Sequence, residues 1–142
     1  MMVVPYRAEH LLGLQIQMGQ KGVAPFITEE YAKSLEGGIA FSAMVDDECI
    51  AVGGVAKIWE NRGIVWSILG EKAGPHLVSI HRLAKMVLKD VPFKRIEADT
   101  PCEFVQGHRW LRMLGFKMEA KCMKAFRPGG GDSALYAKVN HG

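Results

Sequence analysis

Long hydrophobic runs are missing from this chain. No apolar stretch approaches the roughly 20 residues needed to cross a bilayer, and the apolar part of Met1-Met-Val-Val-Pro-Tyr-Arg7 is too short for a signal peptide. The expectation is a soluble, cytoplasmic protein with no membrane partner. Cysteine is also scarce. Cys49, Cys102 and Cys122 form an odd set without a C-x-x-C pair, and their spacing matches neither a zinc site nor a disulfide framework. A reducing, intracellular setting follows. Charge of one sign is nowhere concentrated: 18 Lys and Arg stand against 15 Asp and Glu, a net charge of +3 with acidic residues spread throughout. The clustered basic face of a nucleic-acid binder is therefore lacking.

Other chemistries are excluded by spacing. His76 and His81 lie five apart, about 140° round a helix, so they cannot share a metal as an i, i+4 pair would, and no metal is expected. Gly129-Gly-Gly131 lacks the Lys-Ser/Thr of a P-loop and reads as a flexible hairpin turn. Cys102 sits near a helix start, where a thiol pKa can fall, but no base accompanies it. Six of the eight methionines, Met18, Met44, Met86, Met113, Met118 and Met123, are dispersed over several elements, as core gap-fillers are.

What is present suits one packed domain over residues 1–142, about half of them apolar. Val3 to Tyr6 reads as a strand and Ala8 to about Gln20 as a helix, with Gly19, Gly22 and Pro25 marking a loop. Thr28 with Glu29 and Glu30 opens a short helix that stops at Gly37-Gly38. Ile39 to Val45, Cys49 to Trp59 and Ile64 to Leu69 then read as three meandering strands. Gly53 and Gly54 within the second suggest a bulge or a close backbone approach. Trp59 and Trp66, on neighbouring strands, could wall an acceptor pocket or form a cross-strand pair.

Leu77, Ile80, Leu83, Ala84, Val87 and Leu88 form one helical stripe, which predicts an amphipathic helix ending at Asp90-Val-Pro92. Arg95 to Thr100 is a strand, and Cys102 to Leu114 a helix closed by Gly115 as C′ glycine. Phe116 to Cys122 alternates as a half-exposed strand, and Ala134 to Val139 ends the sheet. The strand leading into Ser67-Ile-Leu-Gly-Glu-Lys-Ala-Gly-Pro-His76 thus breaks into a glycine-bearing turn and a helix start. The unpaired N–H groups and positive dipole end of such a start form an anion site.

The order strand, two helices, three meandering strands, helix, strand, helix, two strands resembles the GCN5-related N-acetyltransferase (GNAT) superfamily over nearly the whole chain. The best local match is His108-Arg-Trp-Leu-Arg-Met-Leu-Gly-Phe116 with the later Phe126 to Tyr136 segment. The resemblance implies an α/β (α+β) fold: a mixed, mostly antiparallel sheet, splayed between the strands flanking the main helix, with helices on both faces. It also implies acetyl-coenzyme A as cosubstrate in the splay, with Ile68 and Leu69 beside the pantetheine. Gly70, Glu71, Lys72, Ala73, Gly74, Pro75 and His76 would lie around the pyrophosphate. The family's turn reads Arg/Gln-x-x-Gly-x-Gly/Ala; in the matching register Glu71 and His76 depart from it. Pro75 suits a first helical turn, although it removes one phosphate donor.

The family's proton-donating Tyr position is Leu111 here, and its frequent Asn position is Phe104. On the amine side a carboxylate or imidazole would serve as base, and Asp99 and His108 are the candidates; orientation alone is the other route to transfer. The implied function is acetyl-CoA-dependent N-acetyl transfer to a small-molecule or peptide amine, in the cytoplasm, with homodimerisation left open. The alternative is a non-catalytic member, as among short phage-encoded proteins that resemble the family; its place would be the host cytoplasm or the virion.

Overall fold

The computed structural model of the protein describes residues 1–140. Strand β1 (Met2–Pro5) is followed by α1 (Ala8–Leu12), a 3-10 helix (Met18–Phe26) and α2 (Glu29–Ser34). The meander comprises β2 (Ile39–Val45), β3 (Glu48–Trp59) and β4 (Arg62–Leu69). A second 3-10 helix (Glu71–His76) runs into α3 (Leu77–Lys89), followed by β5 (Arg95–Pro101), α4 (Val105–Met113), β6 (Lys117–Met123) and β7 (Ser133–Val139). Among the described residues seven strands hydrogen-bond in the order β1-β2-β3-β4-β5-β7-β6. The β4–β5 pair is parallel, whereas β1–β2, β2–β3, β5–β7 and β6–β7 are antiparallel. The expected mixed, mostly antiparallel sheet is present.

Contacts divide the chain into two compact units, Met1–Ala56 with Trp66–Asp90, and Lys57–Val65 with Val91–Gly142. In the first, Tyr6, Ala8, Leu11, Ile16, Ala32, Ala40, Val52 and Ile68 form a buried cluster. The Tyr6 hydroxyl donates to the Ala32 carbonyl at 2.8 Å, and burial with nearby Glu36 pushes its pKa up to about 12. Thr28 caps α2 through a bond from the Tyr31 N–H, as its sequence signature requires. The Asp46-Asp47 turn of the β2–β3 hairpin uses positive φ at both residues, 51° and 64°, which Asp tolerates. A Cβ on Gly54 would overlap the Ile39 carbonyl, and one on Gly53 would lie 3.1 Å from the Trp66 carbonyl. The glycine pair therefore serves close backbone approach, while the register shift of this ladder lies between Ala43 and Met44.

In the second unit Ile96, Leu111, Leu114, Phe116 and Tyr136 are buried. Gly115 follows α4 at φ +92° as the expected C′ residue.

Three expectations are corrected. The helix read from Ala8 to Gln20 ends at Leu12, because Gly13 and then Gly19 and Gly22 disfavour continuation and the chain tightens into a 3-10 helix. Helix α4 starts at Val105 rather than Cys102, since the Cys102 N–H is drawn to the Asp132 carbonyl at 3.2 Å. Cys102 and Cys122 are joined in a disulfide, their Cα atoms 5.9 Å apart across 20 positions of sequence. Spacing reads only nearness along the chain; here β7 ties β5, which ends at Pro101, into the same ladder as β6, which carries Cys122.

Candidate active site

In the first unit, β4 leaves the sheet at Gly70, whose N–H donates to the Ile50 carbonyl at 2.7 Å. A Cβ there would meet Leu14 Cδ1 at 2.8 Å and the Ile50 carbonyl at 3.0 Å, so a larger residue would require the Leu14 side chain to move and the Ile50 main chain to give by a few tenths of an ångström. Ile68, Leu69 and Ala73 are buried. The segment expected to be an open turn is a 3-10 helix, and His76 is the N-cap of α3 without a side-chain capping bond. The Glu71 carboxylate pairs with Lys21 at 3.2 Å, and Lys72 reaches both oxygens of Glu48 at 3.0 and 3.1 Å. The unfavourable charge of Glu71 is thus offset from a neighbouring loop, while Lys72 spends its own on Glu48. No atom lies within 4 Å of a Cβ built on Gly74. The start of α3, 13 residues long, therefore keeps open space beside it.

Strand alternation orients the backbone of this exit. Gly70 faces β3, so Ser67, Leu69 and Glu71 turn their N–H and carbonyl groups the other way. Those groups are engaged by residues 15–20. Ile16 bridges Gly70 antiparallel, with Gln17 N–H donating to Leu69 O at 2.8 Å and Glu71 N–H to Gln15 O at 2.7 Å. The carboxamide of Gln20 donates from Nε2 to Ser67 O at 2.8 Å and accepts the Leu69 N–H at 2.9 Å. Gln20 was invisible to sequence reasoning, since a lone Gln in a glycine-punctuated loop carries no pattern.

In the second unit, alternation along β5 places Arg95, Glu97 and Asp99 on one face and Ile96, Ala98 and Thr100 on the other. Asp99 is exposed near the end of the strand. Glu97 is buried and accepts from Arg62 at 2.9 and 3.0 Å and from Arg95; Arg95 also bonds Glu119. The Arg62 hydrogen bonds, ahead of those from Arg95, hold the Glu97 carboxyl below its ordinary range.

His108 lies on the opposite face from Asp99. Its helix packs where Thr100 meets Gly107, and its Nδ1 meets the hydroxyl of fully buried Tyr136 at 2.7 Å. Tyr136 in turn lies opposite Ala98 in the ladder. The His108 Nε2 is 3.0 Å from the Cys102 carbonyl, which can only accept; a neutral ring must therefore protonate Nε2 and accept from Tyr136 at Nδ1. Both ring nitrogens are engaged. The structure does not bring Asp99 and His108 into one constellation. Of the two tryptophans, Trp66 meets Tyr6 edge to face in the first unit, and Trp59 lies under Arg62 in the second.

No protein-family model matches the sequence, and no curated protein matches it significantly. Solved structures do. A GNAT-family acetyltransferase from Bacillus anthracis matches at 16% identity and TM-score 0.66, over 96% of this chain and 93% of that one. An aminoglycoside 6'-acetyltransferase type Ii matches at 14% identity and TM-score 0.74, over 98% and 97%. The fold is that of the GNAT acetyltransferases. A ribosomal L7/L12 alpha-N-protein acetyltransferase, solved in complex with coenzyme A, also shares it at 19% identity and TM-score 0.61, over 81% and 75%. On this GNAT fold, Leu111 is a buried apolar side chain of α4 with no proton to give, and Phe104 is the N-cap of that helix without a side-chain capping bond. No described helix is long and apolar enough to cross a membrane.

Proposed function

We propose that residues 1–142 work as one acetyl-CoA-dependent N-acetyltransferase domain acting on a primary amine by direct transfer. The observation that carries this reading is the GNAT fold over nearly the full chain, with α3 opening directly behind the β4 exit. Acetyl-CoA supplies a thioester acyl group. Ile68 and Leu69 would flank its pantetheine, and Gly70 to His76 with the start of α3 would hold its pyrophosphate. Open space at Gly74 and the ion pair that offsets Glu71 support that cradle.

The amine attacks the thioester carbonyl as the C–S bond breaks. The ammonium proton passes to Asp99, directly or through water, and the departing thiolate is protonated from solvent, since Leu111 offers no donor. Asp99 is the better base candidate because it is exposed, whereas both ring nitrogens of His108 are engaged. His108 would act by position, holding Tyr136 and the Cys102 carbonyl. A small molecule or a peptide amine is the acceptor class, and the cytoplasm the compartment, where the Cys102–Cys122 bond would be open to reduction.

The test is calorimetric titration with acetyl-CoA, using coenzyme A as control, on the wild type and Gly74→Glu. The substitution fits sterically but adds negative charge at the cradle, so affinity should fall at least about tenfold with folding unchanged. Equal affinity would remove the cradle; absence of wild-type binding to millimolar ligand would remove the enzyme reading.

A further inference from the structure

We propose that residues 15–20 form an autoinhibitory strap, in which Gln20 stands in for the cosubstrate on the backbone of β4 at Ser67 and Leu69. This rests on the acetyl-CoA reading above and adds a competition at the same site. An extended ligand with secondary amides binds a strand edge by taking its outward N–H and carbonyl groups, as an added strand does. Pantetheine is such a ligand. At Ser67 and Leu69 both outward groups are already satisfied by one primary carboxamide, donor to acceptor and acceptor to donor, at 2.8 and 2.9 Å.

Gln20 is held for this role from two sides. Its Oε1 also accepts from Gln17 Nε2 at 2.7 Å, so the carboxamide oxygen serves two donors and the flip state is set. Upstream, the Ile16–Gly70 bridge continues the same edge by one more antiparallel step. Downstream, Lys21 anchors to Glu71. Ile16 roots the start of the strap in the buried cluster, but the 3-10 helix of Met18–Phe26, which carries Gln20, has no fully buried residue, and Met18 is 80% exposed. Its hold on β4 is mostly polar, and each polar bond can be exchanged for an equivalent one from a ligand at little net cost. Short 3-10 segments with few buried apolar contacts belong to the least stable parts of a fold. A ligand amide that takes Ser67 O and Leu69 N–H must first release Gln20, so the strap lowers apparent affinity by the fraction of time that it is closed.

The experiment compares acetyl-CoA titrations of the wild type and Gln20→Ala, with amide hydrogen exchange at Leu69. The strap requires roughly five- to tenfold tighter binding by Gln20→Ala, two exchangeable bonds having been removed from the competitor. It also requires fast Leu69 exchange in the free variant, slowed when acetyl-CoA is added. Equal or weaker binding by a folded Gln20→Ala overturns the strap while the acetyl-CoA reading stands, and marks Gln20 as a structural anchor. Failure of both proteins to bind at millimolar concentration overturns the acetyl-CoA reading and the strap with it. Should Gln20→Ala not fold, Gln20→Glu takes its place: it keeps an acceptor for Leu69 but sets a carboxylate against the Ser67 carbonyl, and the same outcomes apply.

Discussion

Ser133 is fully buried on β7, and its hydroxyl has no hydrogen-bond partner. A buried hydroxyl without a partner keeps the desolvation cost of leaving water and gains nothing in return. Ser133→Ala should therefore stabilise the protein by about 1 kcal/mol, seen as a higher urea midpoint at unchanged slope. A fall in stability would mean that the hydroxyl is satisfied by an internal water. The neighbouring cluster shows the opposite case. Tyr136, also fully buried, completes its hydrogen bonding through His108, and His108 through Cys102. That chain of bonds is why an imidazole read as a base candidate is tied on both nitrogens. Its sequence context, an amphipathic helix beside a Gly-Phe pair, gave no sign of the partner 28 positions away.

The β2–β3 ladder depends on backbone approaching backbone. Gly54 faces Ala40 in the register, and a Cβ there would overlap the Ile39 carbonyl and come within 2.8 Å of the Ala40 Cα. No side-chain rotation can relieve a clash with main chain. Gly54→Ala should cost at least about 3 kcal/mol, in the range of severe overpacking, and lower the thermal midpoint by 10 °C or more for a domain of about this size. A midpoint shift under about 2 °C would show that the ladder can slide, as its shift at Ala43/Met44 already does nearer the turn. The helices follow simpler rules. The stripe from Leu77 to Leu88 and the stop after Lys89 were legible, whereas α1 lost its second half to glycines whose effect on periodicity is easy to underrate.

At the scale of the molecule, Arg62, Glu97, Arg95 and Glu119 form a connected ion-pair network in the second unit. Glu97 and Glu119 both titrate below their ordinary value of 4.5, through hydrogen bonds from Arg62 and Arg95 respectively. The unfolded chain thus binds protons more readily than the folded one in this range, and stability rises with pH through it. The contribution is complete above about pH 4.5 and is lost as pH falls through the depressed folded values. Glu97→Gln should cost about 1–3 kcal/mol at neutral pH, the range for hydrogen bonds to charged groups, and flatten the acid limb of a stability–pH profile from urea titrations. An unchanged acid limb would show that the guanidinium groups re-pair elsewhere.

Local chemistry reaches only as far as neighbours along the chain. From it came the strand alternation, the Thr28 cap, the amphipathic stripe of α3 and the glycine after α4, each a matter of a few consecutive residues. The order of those elements was enough for the fold. Three other features arise from pairing between distant segments: the hold of Gln20 on β4, the bond between Cys102 and Cys122, and the placing of Asp99 and His108 on opposite faces of β5. A one-residue change of register would turn Asp99 to the other face, and no composition or spacing records register. The segment from Ile68 to His76 could therefore be proposed as a site from reading alone, while what covers its neighbouring strand edge depended on how a segment some 50 positions earlier folds back.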